Sequence, residues 1–328
     1  MRSLQRPQAR LPTLTTGKGA RQREEDRKKR SQDPQAELKF PDHWNEEDVR
    51  GALLAMQGWV CAFCERRLGD DRHGDVEHFR PKSATSEASH RGYWWLAYEF
   101  GNYVLSCTTC NTNYKRTRFP LKEGAAHVEY DTREQLSQEA RLLVDPTEDP
   151  VESWICVNVE DRLCLVTVCT ADADARLKAE TTLKLFALNS DWNLVQQRIR
   201  VLDKVTGAYL RGERESLRER ASHFRHQGST VRAFLKACAP GEGLLPSRDD
   251  ELLWLLEYVD KLLTLNEALN QDNVSPPLKR RIKELHWMLA VLWKHPPALD
   301  AELIECWLED TGWKPQVEPL YRMLCEEH

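Results

Sequence analysis

The chain has 328 residues, of which 41% are hydrophobic and 30% charged, and its formal net charge is −5. These values are typical of a globular protein and exclude a fibrous or wholly disordered chain. The apolar runs are short and interrupted, as at Leu252–Leu256, so the sequence predicts no membrane-spanning segment. The first residues also lack the apolar stretch of a secretory signal, so we expect a cytoplasmic protein.

Positive charge is concentrated at the start of the chain. Residues 1–30 contain ten Lys and Arg against three acidic residues, a net charge of +7, so the remainder carries −12. Residues 1–35 show no sustained apolar period, and a terminal block of like charge is usually a disordered segment that contacts polyanions. We therefore predict a basic flexible arm over residues 1–35, with a solubilising tail that binds no partner as the alternative. The acidic remainder argues against a protein that coats nucleic acid over its whole surface.

The predicted elements after this arm are short. Apolar residues at helical spacing predict a helix that is capped by Asn45 and ends at Gly58. Four further elements are predicted in chain order: a strand over Asp75–Phe79, a short aromatic helix over Tyr93–Phe100, an extended segment over Asn102–Leu105 and a helix from Thr112 onward.

The second half of the chain has a different pattern. Ile155–Val159 and Leu163–Val168 are predicted as strands, which places a β-hairpin within residues 151–170. From Asp172 onward the apolar period is helical with several breaks, so about six helices are expected in residues 171–328. We expect this helical region to dock a partner. The predicted fold class is α+β, with a folded domain over residues 36–150, the hairpin as a connector and a mostly α-helical C-terminal region.

The cysteines predict a structural zinc site. Cys61 and Cys64 form one C-x-x-C pair, and Cys107 and Cys110 form a second after a 42-residue spacer. In a reducing compartment such pairs indicate a metal site before they indicate disulfides. Four thiolates close a tetrahedral shell around Zn²⁺ and leave no open position for chemistry. The remaining cysteines lie among apolar neighbours and are predicted to be buried core thiols: Cys156, Cys164, Cys169, Cys238, Cys306 and Cys325.

The spacer between the two cysteine pairs contains the residues that suggest catalysis. Glu77 directly precedes His78 on the predicted strand, so the two side chains lie on opposite faces. Alone, this dipeptide is a weak signal. Basic residues around it strengthen the signal, because phosphodiester hydrolysis needs a base near neutral pKa, oxygen ligands for a hard metal ion and cations for the phosphate. Arg80, Lys82 and Lys115 are predicted to contact the phosphates of a nucleic acid.

Aromatic and histidine side chains in the spacer allow two interpretations. Trp94, Trp95 and Tyr98 suit base stacking, but we expect them to form the apolar floor of a small zinc module. His90 either contacts phosphate or has a structural role, and the structural role is expected.

These residues resemble a known family. Glu77-His78, Asn102 and Cys107-x-x-Cys110-Asn111 resemble the HNH (ββα-metal) endonuclease motif in its four-cysteine zinc form. Longer segments, including Val-Glu-His-Phe-Arg-Pro-Lys-Ser, Tyr-Trp-Trp-Leu-Ala-Tyr and Leu-Leu-Val-Asp-Pro, are similar to the PtuB-like HNH proteins of Septu and retron-associated antiphage systems. The similarity covers roughly residues 40–200, and the helical C-terminus and the basic arm lie outside it.

The resemblance implies a role for each motif residue. His78 is the general base that takes a proton from the water attacking phosphorus, and Asn102 orients it. Glu77 and Asn111 hold one catalytic Mg²⁺ or Mn²⁺. The cysteines Cys61, Cys64, Cys107 and Cys110 hold structural zinc. Residues 36–150 are then an HNH nuclease domain, and a PtuA-like ATPase subunit is the implied partner.

Two residues depart from the commonest form of the motif. Asp is usual where Glu77 stands, and His is frequent where Asn111 stands. Both variants supply oxygen ligands, which suit Mg²⁺ better than Zn²⁺. The predicted function is therefore metal-dependent cleavage of DNA as the effector of an antiphage defence complex. The alternatives are a catalytically silent zinc protein that binds nucleic acid, and a scaffold whose helical half recruits a partner.

Overall fold

The computed structural model describes residues 1–69, 74–86, 90–160, 163–222, 225–268, 276–295 and 301–325. Its elements, in chain order, are α1 (Pro12–Thr15), α2 (Lys18–Gln32), α3 (Glu47–Gln57), β1 (Asp75–His78), β2 (Tyr103–Ser106), α4 (Val151–Trp154), β3 (Ile155–Val157), β4 (Val166–Val168), α5 (Ala173–Leu185), α6 (Trp192–Leu210), α7 (Arg214–Ala221), α8 (Gly228–Cys238), α9 (Arg248–Ala268), α10 (Pro276–Lys294), α11 (Ala301–Asp310) and α12 (Lys314–Cys325). The predicted α+β class is confirmed: the described residues are mostly helical and form two two-stranded sheets.

The described chain divides into two compact units. The first contains Met1–Leu4, Trp59–Ala97 and Val104–Pro246, and the second contains Gln5–Gly58, Tyr98–Tyr103 and Ser247–His328. This division differs from the consecutive domains that the sequence predicts. Segments distant in sequence pack together within the second unit, and apolar periodicity does not reveal which helix covers which. Within the described residues, no helix is both long enough and apolar enough to cross a membrane.

The first unit combines both sheets with helices α4 to α8. Strands β1 and β2 pair with each other. Strand β3 pairs antiparallel with β4, so that Ile155 lies opposite Val168 and Val157 lies opposite Val166. The predicted hairpin is therefore present, with shorter strands than expected. Helices α6, α7 and α8 enclose a core of buried apolar side chains that includes Leu202, Leu217 and Phe234.

The second unit is helical, and its centre is the packing of α3 on α10. The two helices approach so closely at Gly51 that no larger residue fits there. A Cβ at this position would lie 2.5 Å from Trp287 Cβ and 2.7 Å from the Glu284 carbonyl oxygen. Beside it, Arg50 Nε donates to Glu284 Oε1 over 3.0 Å in a buried ion pair. Helix α3 begins after Glu46, with no side-chain cap, so the predicted cap at Asn45 is wrong. Asn45 lies instead in a short 3-10 turn over His43–Asn45.

The basic N-terminal segment differs from the predicted flexible arm, because it contains helices α1 and α2. Leu11 and Leu14 are buried around α1, where Pro12 occupies the first helical position. In α2, Arg23 donates to Glu99 Oε1 over 2.7 Å and also reaches the Leu14 carbonyl oxygen. Polar contacts hold α2 in place, and a search for apolar period cannot detect them.

Three other predictions need correction. Two 3-10 turns, Trp94–Leu96 and Phe100–Asn102, replace the single helix predicted over Tyr93–Phe100. Eight helices are described from Asp172 onward rather than about six. Of the six cysteines predicted as core thiols, Cys164 alone is buried, whereas Cys169, Cys238 and Cys306 are exposed and the remaining two are half-buried.

Candidate metal and catalytic site

The four paired cysteines come together as predicted. The Sγ atoms of Cys61, Cys64, Cys107 and Cys110 all lie within 4.8 Å of one another. The Cys64 and Cys107 Sγ atoms are 3.7 Å apart, and two ligands of a tetrahedral Zn–S₄ centre with 2.3 Å bonds are separated by about 3.8 Å. The donor set and its spacing therefore fit a structural zinc ion.

Local backbone turns bring each pair into position. The first pair lies in a tight loop in which Cys61 N donates to Arg66 O over 2.8 Å and Glu65 adopts a left-handed conformation, with φ of 58°. The second pair follows β2 directly, at the start of a π-helical turn over Thr109–Lys115. A hydrogen bond of 3.0 Å from Ala62 N to Leu105 O joins the first loop to β2.

The four thiols lie close enough together to shift one another's pKa. Bonds from its neighbours, Cys110 first, lower the pKa of the Cys107 thiol. The bond to Cys107 raises the pKa of Cys64 and of Cys110. One thiolate therefore forms at the expense of the others in the metal-free cluster, and a bound Zn²⁺ would allow all four to ionise.

Strand β1 ends with the adjacent Glu77 and His78, which are buried with exposed fractions of 4% and 5%. His78 Nε2 lies 3.0 Å from the Ala97 carbonyl oxygen. A carbonyl oxygen only accepts hydrogen bonds, so this contact assigns the ring proton to Nε2 and leaves the lone pair of the neutral imidazole on Nδ1. Burial, followed by the charges of Lys82 and Lys115, holds the pKa of His78 well below its ordinary value. The imidazole is therefore neutral at neutral pH.

Lys115 reaches Glu77 from the π-helical turn. Its Nζ lies 2.7 Å from Glu77 Oε1, and it donates a second hydrogen bond of 3.0 Å to the His78 carbonyl oxygen. The lysine is fully buried. Burial raises the pKa of the Glu77 carboxyl, and the positive charge of Lys115 opposes that effect. The Lys115 ammonium therefore contacts the carboxylate that is predicted to bind a metal ion, rather than a phosphate.

The predicted phosphate contacts differ in their surroundings. Arg80 is buried, and its Nε donates to Glu139 Oε2 over 2.9 Å, while Lys115 pairs with Glu77. Lys82 is half-buried, and burial lowers its pKa while the nearby charge of Glu77 raises it. Lys82 is thus the one of these three basic residues that keeps partial access to solvent.

The two predicted asparagines occupy different elements. Asn111 is half-buried in the π-helical turn, four residues before Lys115. In a turn with i→i+5 hydrogen bonds, such as the 2.7 Å bond from Arg116 N to Asn111 O, residues four and five apart share one side. Asn102 is buried at the end of a 3-10 turn directly before β2 and belongs to the second unit. Its predicted effect on His78 stays a prediction.

A polar network that the sequence does not predict surrounds Arg80. Glu139 accepts hydrogen bonds from Arg80 Nε and from Tyr93 Oη, the latter at 2.5 Å. His127 Nδ1 lies 2.8 Å from Tyr93 Oη, and the His127 ring stacks on the His90 ring. His90 Nε2 bonds to the Val128 carbonyl oxygen over 3.2 Å, as its structural interpretation predicts. Glu139 lies far from the motif, so nothing in the local sequence pattern indicates this pairing.

The aromatic floor is present in part. Trp94 and Trp95 are buried, with their rings at right angles and 5.9 Å apart. Tyr98 is also buried, in the second unit, where its Oη donates to the Pro41 carbonyl oxygen over 3.0 Å. Because all three rings are buried, none of them presents a face on which a base could stack.

The chain is similar to the Septu protein PtuB of Bacillus mycoides, strain KBAB4, with 32% identity over 119 residues. The match spans 34% of this chain and 40% of the relative's length. The resemblance to PtuB-like proteins is therefore confirmed over that segment. No protein-family model matches the chain, and no solved structure matches it.

Proposed function

We propose that this protein is a metal-dependent HNH endonuclease whose active site lies at Glu77 and His78. The observation that carries the proposal is the position of these two residues at the end of β1, within the same unit as the four-cysteine cluster and in contact with Lys115 from the turn after the second cysteine pair. The order of two paired strands and a helical turn agrees with a ββα arrangement. Similarity to a Septu protein PtuB adds support.

His78 acts as the general base in this proposal. The Ala97 carbonyl oxygen fixes the ring through Nε2, so Nδ1 carries the lone pair that takes a proton from the attacking water. Burial keeps the imidazole neutral, which is the form that a base needs. Asn102 is proposed to hold the segment that orients His78.

Glu77 and Asn111 would hold the catalytic Mg²⁺ or Mn²⁺. Their carboxylate and amide oxygens are ligands that such hard ions prefer. When bound, the ion supplies charge that stabilises the developing negative charge on the phosphate and on the leaving oxygen. Lys82, which is half-buried, is the basic residue best placed to bind a phosphate of the substrate.

The biological role is proposed from the similarity to a Septu protein PtuB. We infer that the protein is the effector of an antiphage defence system of the Septu type, that it cleaves DNA and that a PtuA-like ATPase subunit controls it. The structural zinc would keep the two loops and the strands together. A cytoplasmic location is consistent with these roles.

One observation favours the alternative of a catalytically silent zinc protein that binds nucleic acid or acts as a scaffold. Glu77 and His78 are 4% and 5% exposed, and Lys115 already balances the carboxylate. A phosphate reaches His78 only if part of this segment opens.

Plasmid cleavage with a matched control separates the two functions. We would incubate the zinc-loaded protein with plasmid DNA and, in parallel, with RNA, in Mg²⁺ or Mn²⁺, with and without an ATPase encoded beside it. His78→Ala should abolish cleavage. His90→Ala is the matched control, because His90 is equally buried and also bonds a carbonyl oxygen through Nε2. Equal behaviour of wild type and His78→Ala in every condition would support the silent alternative.

A further inference from the structure

We infer that Lys115 is a built-in competitor of the catalytic metal ion: its ammonium neutralises Glu77 in the metal-free protein, and a divalent ion binds Glu77 only by displacing it. This inference rests on the proposed function, because it assigns a divalent ion to Glu77. Lys115 is not part of the HNH motif, and the sequence predicts a phosphate contact for it instead.

The position of the ammonium supports a neutralising role. Lys115 is fully buried, its Nζ lies 2.7 Å from Glu77 Oε1, and a second hydrogen bond of 3.0 Å goes to the His78 carbonyl oxygen. A buried carboxylate without a partner is strongly unfavourable, so the lysine is needed whenever no metal is present. The two bonds also tie the turn that carries Asn111 to the end of β1.

The charges around Glu77 make joint occupancy unfavourable. Glu77 carries one negative charge, while Lys115 contacts it and Lys82 lies close enough to affect its ionisation. Adding a divalent ion with both lysines unmoved would leave three net positive charges in a site where water screens little. The flexible four-carbon stem of lysine allows the ammonium to withdraw. Its withdrawal would also release the His78 carbonyl oxygen.

Displacement of Lys115 therefore links the binding of the metal ion to the backbone segment that carries His78. In the metal-free state, Lys115 holds Glu77 and the backbone of His78 in one closed arrangement. In the loaded state, the ammonium is free to move toward the substrate phosphate, which is the contact that the sequence predicts for it. The burial of Glu77 and His78 would then describe the closed state.

Mn²⁺ affinity, measured from the electron paramagnetic resonance signal of free Mn²⁺, tests the inference on the full-length, zinc-loaded chain. Lys115→Met removes the competing charge and keeps most of the side-chain volume, so we expect Mn²⁺ to bind about tenfold more tightly or better. The matched control is Lys122→Met, since Lys122 also pairs with a carboxylate at 2.7 Å but on the surface, and its affinity should equal that of wild type. Glu77→Gln should remove the tight binding. Unchanged or weaker binding by Lys115→Met would overturn the inference.

A second measurement uses the wild-type chain, in case Lys115→Met fails to fold. Acetylation of lysines followed by mass spectrometry should find Lys115 protected without metal and several-fold more reactive at saturating Mn²⁺, with Lys122 unchanged. Equal reactivity of Lys115 in both conditions would overturn displacement.

The two proposals fail in different ways. Cleavage and Glu77-dependent Mn²⁺ binding by wild type, with no gain in Lys115→Met, would refute the competition alone. Tighter Mn²⁺ binding by Lys115→Met than by wild type, lost again in Glu77→Gln and without cleavage by any protein, would refute the nuclease and keep the competition. Absence of Mn²⁺ binding in every variant would refute the competition and the catalytic ion together.

Discussion

Phe63 stacks on Phe186, with ring centroids 4.1 Å apart and ring planes inclined by 14°. Phe63 lies between the first two cysteines of the metal cluster, and Phe186 follows the last residue of α5. Both side chains are fully buried. The contact therefore connects the first cysteine loop to the helical part of the same unit.

Phe186→Ala should destabilise the protein by about 3–5 kcal/mol, because it removes a buried ring and leaves a cavity beside Phe63. Chemical denaturation of the zinc-loaded protein measures this loss. Leu210→Ala is the control, since Leu210 is 78% exposed, and a change within about 0.5 kcal/mol is expected there. Similar midpoints for Phe186→Ala and wild type would show that the stack contributes little.

The cysteine cluster predicts one bound zinc ion per chain. Cys107→Ser should lose that zinc and unfold the surrounding loops, since structural zinc can contribute on the order of 10 kcal/mol to folding. Elemental analysis of the purified protein together with thermal denaturation measures both effects. Cys238→Ser, an exposed cysteine outside the cluster, should keep its zinc and its melting temperature. Retention of stoichiometric zinc by Cys107→Ser would contradict the assignment.

The buried ion pair between Arg50 and Glu284 gives a prediction for the helical unit. Arg50→Met should cost roughly 3 kcal/mol, because it removes the guanidinium that lies 3.0 Å from the buried Glu284 carboxylate, whereas Arg280 lies 3.4 Å from it. The double variant Arg50→Met, Glu284→Leu should recover most of that loss. Arg322→Met, which breaks an exposed pair, should change stability by less than about 1 kcal/mol. A double variant as unstable as Arg50→Met would show that lost packing, rather than uncompensated charge, is the cause.

Protonation of the His286 imidazole is expected to lower the stability of the folded protein in acid. Burial lowers its pKa to about 4, below the ordinary value of 6.5. The unfolded chain binds the proton first, so the contribution of His286 to stability is complete above pH 6.5 and is lost as the pH falls through 4. The loss is at most about 3 kcal/mol.

Melting temperatures of wild type and His286→Leu, measured from pH 7.5 to pH 4, test this prediction. The difference between the two proteins should shift in favour of His286→Leu as the pH falls. Parallel curves over the whole range would show that His286 does not titrate differently in the folded chain.

The sequence predicted those features that depend on residues close together in the chain. The two C-x-x-C pairs, the strand before His78 and the hairpin at β3 and β4 each follow from local spacing, and each is present in the structure. These features are predictable because closely spaced cysteines and the residue pattern of a strand and its turn depend only on residues that are near each other in the chain.

Features that depend on distant pairing were not predictable from one sequence. Glu139 lies 59 residues from Arg80, and Glu284 lies 234 residues from Arg50, yet both pairs are buried. A charged residue gives no local sign of the partner that will neutralise it. For the same reason Lys115, predicted to face a phosphate, lies against Glu77.

Whether His78 is the base of a nuclease is decided by the initial rate of plasmid cleavage by His78→Ala, compared with His90→Ala and wild type in the same metal ion. A general base contributes roughly 10²- to 10⁴-fold to such a reaction. The proposed site predicts a loss of that size for His78→Ala, with bound zinc retained, and a rate near that of wild type for His90→Ala. Cleavage by His78→Ala at the wild-type rate would contradict a nuclease centred on Glu77 and His78.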